Sequence, residues 1–180
     1  MKFFSPVMIG RYKRSDGVLL QRTRISNTTF IGSPEKLLIG DNVFIGHFNF
    51  IDASQGLHIA EGCQVTNYVS ILTHSSHISI RLYGPEYTNH KDHQGYIRGN
   101  VEIGAYTFIG PHSVIMPGSQ IGKGSIISAF SYVKGVFPDF SVIAGNPAVK
   151  IGDTRELDRP YLDNNPDLLE HYLRWSQDKS

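Results

Sequence analysis

The sequence predicts an all-β solenoid, a parallel β-helix of hexapeptide repeats broken by one long loop and followed by a short helix. Three observations predict it. Aliphatic residues recur every six positions, as Leu19, Ile25, Ile31, then Ile39, Ile45, Ile51, then Ile59, Val65, Ile71, and finally Ile97, Ile103, Ile109, Ile115, Ile121, Ile127 and Val133. Glycine often follows the aliphatic residue, as in Ile45-Gly46, Ile103-Gly104 and Ile109-Gly110. Small residues stand four positions after it, as at Thr29, Val43, Thr107, Ser113, Ser119 and Ser125.

A period of six is neither the helical 3.6 nor the alternation of a hairpin sheet. It suits a short strand plus a corner, with the aliphatic side chain and the small residue both pointing into a narrow prism. Three such faces close one coil of about 18 residues, and coils stack at the inter-strand spacing of about 4.8 Å. An antiparallel sandwich rich in Ile-Gly would not hold one phase through the long final run.

The interruptions carry information too. Ile31 to Ile39 and Ile51 to Ile59 each span eight residues, and Ile71 to Ile97 spans 26. All three fall after the third member of a block, so one corner bulges in successive coils and a loop, about Thr73 to Tyr96, leaves the prism there. The 20-residue offset between blocks places Asp52-Ala53-Ser54 one coil below Leu72-Thr73-His74. The β-helix is expected over 1–152 and a helical cap or tail over 153–180. Asn165 is the expected N-cap, Pro166 the first helical residue, and Leu168, Leu169, Tyr172 and Leu173 the apolar series.

Composition narrows the function. The formal charge of +1 gives no footprint for nucleic acid or an anionic membrane. The start, Met1 to Pro6, is basic then apolar, but too short in its apolar run for a signal peptide. No apolar stretch reaches the roughly 20 residues of a transmembrane helix. A single cysteine, Cys63, excludes an internal disulfide and fits a reducing compartment, so a cytoplasmic protein is expected.

The hexapeptides, a loop bearing His-x-x-His (His74 and His77), and the tail Ile143-Ala144-Gly145-Asn146-Pro147-Ala148 together resemble the hexapeptide-repeat acetyltransferases. Galactoside, maltose, nodulation-factor, streptogramin and polysaccharide O-acetyltransferases are members. The resemblance runs from about Leu19 to Ile151. It implies a left-handed coil, a homotrimer, acetyl-CoA as acyl donor, and a cofactor cleft between neighbouring subunits.

Acyl transfer needs a group that takes a proton from the acceptor as it attacks, and histidine suits this. In the family the catalytic histidine lies just after the strand entering the loop. Here that segment is Ile71-Leu72-Thr73-His74-Ser75-Ser76-His77, and the spacing admits two alignments. His77 is taken first and His74 second, with His90 and His93 as loop or acceptor contacts. Asp52, one coil below, could orient the base or the acceptor. The resemblance also places His47 and Asn49 at acceptor-contacting positions, Ala129 along the pantetheine groove, Lys134 beside it, and Lys150 at the coenzyme A phosphates. Tyr83 and Tyr87 could stack on a sugar ring.

The acceptor expected from the polar, aromatic loop and from the resemblance is a saccharide hydroxyl, with an amine as the alternative. Two other functions compete. The fold is shared by trimeric β-helix carbonic anhydrases, which hold zinc through histidines, and His74/His77 and His90/His93 have tolerable ligand spacing. Those ligands lie on the coils, however, and the Asn-Pro-Ala tail points to acetyltransferases, so no metal is expected. A non-catalytic assembly module would leave the loop unexplained.

Overall fold

The computed structural model describes residues 5–177; Met1 to Phe4 of the basic-then-apolar start, and 178–180, lie outside the described residues. The chain is a left-handed parallel β-helix with three faces. The first face stacks Leu19–Ser26, Phe44–Ile45, Gln64–Val65, Phe108–Ile109, Ile126–Ile127 and Ser141–Gly145 in parallel. The second stacks Phe30–Gly32, Phe50–Asp52, Ser70–Ile71, Val114–Ile115 and Tyr132–Val133. The third stacks Leu37–Ile39, Leu57–Ile59, Val101–Ile103, Gln120–Ile121 and Val136–Phe137. An antiparallel strand closes each end of the first face, Met8–Lys13 below and Ala148–Asp153 above.

Coil register aligns each aliphatic residue with its counterpart, so Ile31, Ile51, Ile71, Ile115 and Val133 form one column. Ile39, Ile45, Ile51, Ile59 and Ile71 are all fully buried, each contributing about 1.5–3 kcal/mol through apolar surface removed from water. The small polar residues share the interior because their hydroxyls are spent locally. Ser119 Oγ donates to Met116 O, Ser125 Oγ to Gly122 O and Ser131 Oγ to Ser128 O, each at 2.7 Å. Glycine after the aliphatic residue lets coils meet. A Cβ on Gly104 would fall 2.4 Å from Lys123 N, and one on Gly110 2.6 Å from Ala129 N.

One corner departs from glycine usage. Phe48, Tyr68, His112 and Phe130, between the first and second faces, all have positive φ, which bulky residues avoid. Their rings stack in one exposed ladder, with centroids 5.2, 4.9 and 4.8 Å apart, an attraction that offsets the backbone cost.

Three sequence expectations are corrected. Leu19 points outward and Leu20 is buried instead, because Leu19–Ser26 pairs with Met8–Lys13 in an antiparallel hairpin whose register shifts between Gly10 and Tyr12 and so resets the phase. Ile97 does not restart the prism. It sits in a two-stranded antiparallel ribbon, His74–Ser75 against Ile97–Arg98, and buried coil positions resume at Val101 and Ile103. The loop therefore runs past Tyr96 to the end of that ribbon.

The tail is helical from Thr154, and Asn165 and Pro166 do start its second helix, but it does not cap the open end. The loop helix α1 (Ser79–Tyr83) is followed in the chain by α2 (Thr154–Leu162) and α3 (Pro166–Ser176). Trp175 of α3 packs on Tyr106 and Phe140, at 4.6 and 5.8 Å, along the corner between the third and first faces. The helix pair braces the side of the solenoid. Among the described residues, no helix is long and apolar enough to cross a membrane.

Gly104→Ala should lower stability by roughly 1–3 kcal/mol, the cost of overpacking against backbone that cannot move alone. Chemical denaturation measures it, and an unchanged midpoint would contradict the close approach of these coils.

Candidate functional site

The loop leaves the corner between the second and third faces, and there the coil register brings Asp52 under Thr73 and His74. Asp52 Oδ2 accepts from His74 Nδ1 at 2.7 Å, from Thr73 Oγ1 at 2.7 Å and from Thr73 N at 3.1 Å, while Oδ1 accepts from Ser54 N at 3.0 Å. Ser54 Oγ lies 3.1 Å from the same imidazole nitrogen. Burial alone would raise the Asp52 carboxyl, but hydrogen bonds from Thr73 and Ser54 outweigh it and hold the pKa down to about 2. The group is therefore a carboxylate at neutral pH. A carboxylate 2.7 Å from Nδ1 requires a proton between them, so Nδ1 carries a hydrogen and, in the neutral ring, the lone pair is on Nε2. The His74 side chain is 41% exposed and Asp52 8%, so the imidazole faces solvent while its orienting partner is shielded.

His74 is also held from the loop side. Tyr96 stacks on its ring with centroids 5.7 Å apart and planes 9° apart, and Arg98 lies 4.5 Å from the Tyr96 ring centroid. His77, by contrast, is exposed. Its Nδ1 meets Ser75 Oγ at 2.8 Å, and its carbonyl accepts from Arg81.

The other expected acceptor residues do not converge here. Asn49 is buried in the wall, with Nδ2 donating to Thr66 O at 2.8 Å and Oδ1 accepting from Val69 N at 2.7 Å, so both ends of its amide are turned into the wall. His47 lies at the corner between the first and second faces, with Nδ1 2.7 Å from Ser26 Oγ, a different corner from His74. Tyr83 and Tyr87 pack inside the loop. Tyr87 stacks on His93 at 4.0 Å, and Tyr83 meets His90 at 4.7 Å and His93 at 5.1 Å.

The residues expected at the cofactor are spread over the prism. Ala129 is exposed at the corner between the first and second faces, just after Ile126–Ile127. Lys134 is exposed in the corner column of Asp52 and Leu72, two coils above Leu72 by the pairing of Ile71 with Ile115 and Ile115 with Val133. Lys150 Nζ lies 3.8 Å from Asp153, which Arg155 also holds at 2.6 Å. The Arg155 guanidinium is the main cause that brings the Asp153 carboxyl down to about 2. Lys150 and Arg155 thus share one carboxylate at the top of the first face.

Two broad clefts, about 780 and 670 Å³, flank the tail helices on the corner away from the loop, and neither is lined by any of these residues. Among the described residues, no three histidine, cysteine, aspartate or glutamate side chains are placed to hold a metal ion. Cys63 is fully buried and burial pushes its thiol up to about 12, which excludes it as a nucleophile.

Sequence reasoning reached Asp52 and His74 through the coil offset. It passed over Thr73 and Ser54, which tune the carboxylate, and over Tyr96 and Arg98. The signal for Thr73 and Ser54 was available, since both stand in the same corner segments that the offset brings together. Tyr96 and Arg98 flank Ile97, whose coincidental phase disguised the ribbon.

Comparison with known proteins agrees with this architecture. The model of the bacterial transferase hexapeptide (six repeats) matches residues 96–135. A Mycobacterium tuberculosis protein named a probable acetyltransferase is 28% identical over 67% of this chain and 38% of its own length, so the match spans well under half of that relative. Galactoside acetyltransferase, solved in complex with coenzyme A, superposes with a TM-score of 0.61 at 25% identity, over 73% of this chain and 62% of that one. The Bacillus cereus N-acyltransferase AntD, solved with dTDP and coenzyme A, gives a TM-score of 0.61 at 22% identity over 80% and 89%.

Asp52 should make stability depend on acidity. Its pKa is depressed on folding, so its contribution is present above the unfolded value near 4 and is lost as pH falls from there to about 2. The wild type should lose about 2 kcal/mol more than Asp52→Asn across that window, read from denaturation midpoints. Parallel curves for the two proteins would show that the carboxylate is not held this way. By its repeat, its fold and the proteins it resembles, the chain is a hexapeptide-repeat left-handed β-helix, similar to the galactoside-type acetyltransferases.

Proposed function

We propose that this protein is an acetyltransferase that moves an acetyl group from acetyl-CoA to a hydroxyl of a saccharide acceptor, with His74 as general base. The observation that carries the reading is the Asp52–His74 pair, built at the loop-bearing corner of a fold whose solved neighbours include coenzyme A complexes. Acetyl-CoA supplies an activated thioester. The chain's own part is to present Nε2 of His74 to the acceptor hydroxyl, accept its proton as the oxygen attacks, and return that proton to the departing thiolate. Asp52 fixes the tautomer and stabilises the imidazolium that forms. The same geometry would serve an amine, and the AntD likeness keeps N-acetylation as the second reading.

This proposal assigns the base to His74 over His77, reversing the order taken from the sequence. A base needs a partner that holds its other nitrogen protonated, and His74 has a carboxylate there where His77 has only a serine hydroxyl. For the donor we keep Ala129 at the pantetheine arm, Lys134 beside it and Lys150 at the phosphates, now with Arg155 sharing the charge. They occupy different corners of one prism, which suits a cleft assembled from two subunits of a homotrimer. The exposed rings of Phe30, Phe50, Phe48, Tyr68 and Phe130 offer apolar surface for such contacts. The β-helix domain over 1–152, the tail over 153–180 and a cytoplasmic location complete the reading.

His74→Ala should lower kcat by about 10²–10⁴, the usual contribution of a positioned base, and leave acetyl-CoA affinity nearly unchanged. His77→Ala should cost much less. Steady-state kinetics on a panel of mono- and oligosaccharides ranks the two, and a dead His77→Ala beside an active His74→Ala would return the role to His77. Acetyl-CoA should also raise the thermal midpoint through binding to the folded state only, and Lys150→Ala should shrink that shift. Light scattering should give a trimer at micromolar concentration, and a monomer would remove the shared cleft.

A further inference from the structure

We propose that Tyr96 is a positioning residue that sets the plane of the His74 imidazole, an inference that rests on His74 being the base. The hydrogen bond from Nδ1 to Asp52, 2.7 Å long, fixes one atom of the ring but not its plane. Nε2 lies at the far side of the ring, where any rocking about that bond moves it most. The side chain is 41% exposed, so packing against the wall does not hold it either.

Tyr96 supplies the missing constraint. Its ring lies nearly parallel to the imidazole, 9° off with centroids 5.7 Å apart, and this offset-stacked contact resists the rocking that a single hydrogen bond permits. The ribbon explains why the two rings meet. His74 and Arg98 are directly opposite one another in the antiparallel pair, so their side chains share a face. Tyr96, two residues before Arg98, falls on that same face by alternation. Arg98 then lays its guanidinium 4.5 Å from the Tyr96 ring centroid, a cation–π contact that keeps the tyrosine from swinging out.

The row of rings continues into the loop. His93 lies 6.3 Å from Tyr96 and stacks on Tyr87 at 4.0 Å, and its Nε2 lies 2.7 Å from Tyr87 O. The orientation of the base is thus tied through aromatic contacts to the body of the loop, and whatever orders the loop also aligns Nε2. Because the ring face does this work, the Tyr96 hydroxyl is dispensable and phenylalanine should replace it.

The test compares wild type, Tyr96→Phe and Tyr96→Leu by NMR of the His74 imidazole, with thiol release from acetyl-CoA measured using water as the acceptor. The Nδ1 proton should be visible, protected by its hydrogen bond, in wild type and Tyr96→Phe, and lost to solvent exchange in Tyr96→Leu. Turnover should fall about 10–100-fold in Tyr96→Leu at unchanged KM for acetyl-CoA, the scale expected when a catalytic group is misplaced by an ångström or so. A Tyr96→Leu protein with the wild-type Nδ1 proton signal overturns the inference. If Tyr96→Leu fails the circular dichroism check of its fold, Arg98→Met, which frees the tyrosine without deleting it, takes its place with the same expected loss. His74→Ala is assayed beside them: should it turn over like wild type while Tyr96→Leu loses the proton signal, the ring contact stands and the base assignment falls.

Discussion

Stacked coils in a β-helix of this kind are bound to a single register, because backbone N–H groups along each face are spent on carbonyls of the neighbouring coil. Gly46 N donates to Val65 O, Thr66 N to Ile109 O and Gly110 N to Ile127 O, one continuous ladder up the first face. A residue added within a face would push every later aliphatic side chain out of the prism. Additions are therefore tolerated only at corners, and the corner that accepts them here is the one between the second and third faces. Extra residues in the lower two coils widen it and the long loop leaves from it. The Asp52–His74 pair stands at that corner, the place where the ladder permits irregular chain.

The same constraint builds the Asp52–His74 pair. A residue at a corner has a fixed neighbour in the next coil, so an aspartate in one coil and a histidine in the coil above are placed together by the backbone before any side chain chooses a rotamer. Asp52 shows how the scaffold then tunes the pair. It sits in the wall, shielded from solvent, and burial would push it toward the neutral form. Thr73 and Ser54, each from a neighbouring corner position, donate enough hydrogen bonds to keep it ionised. The charge is thereby available to hold His74 in one tautomer over the range in which an imidazole works as a base.

Much of this was legible in the sequence. The six-residue period names the buried aliphatic positions from Ile39 to Val133, Ile97 excepted, and the 20-residue offset sets Asp52 beneath His74. Where the reading failed, a local antiparallel pairing had displaced the repeat. Leu19 and Ile97 both keep the six-residue phase, yet each belongs to an antiparallel pair, and in Leu19–Ser26 a register shift breaks the alternation so that Leu20 and Ile25 are both buried. Periodicity cannot distinguish these cases, because the aliphatic residue is the same and only the partner strand differs. The tail's two helices were half legible for a similar reason. Asn165 and Pro166 mark a helix start, but that Trp175 docks on Tyr106 and Phe140 at a corner is a tertiary fact with no signature in the spacing. Motif spacing left His77 and His74 both open; the register of the corner shows only that His74 has a carboxylate partner where His77 has a serine hydroxyl, the difference on which the proposal rests.

If acetyl transfer happens at the Asp52–His74 corner as proposed, a crystal structure of the protein with coenzyme A should hold the cofactor thiol beside Nε2 of His74, with the phosphates reaching the Lys150 and Arg155 side chains of the same or a neighbouring subunit. A thiol seated in the clefts along α2 and α3, or against His77 with His74 turned away, would contradict it.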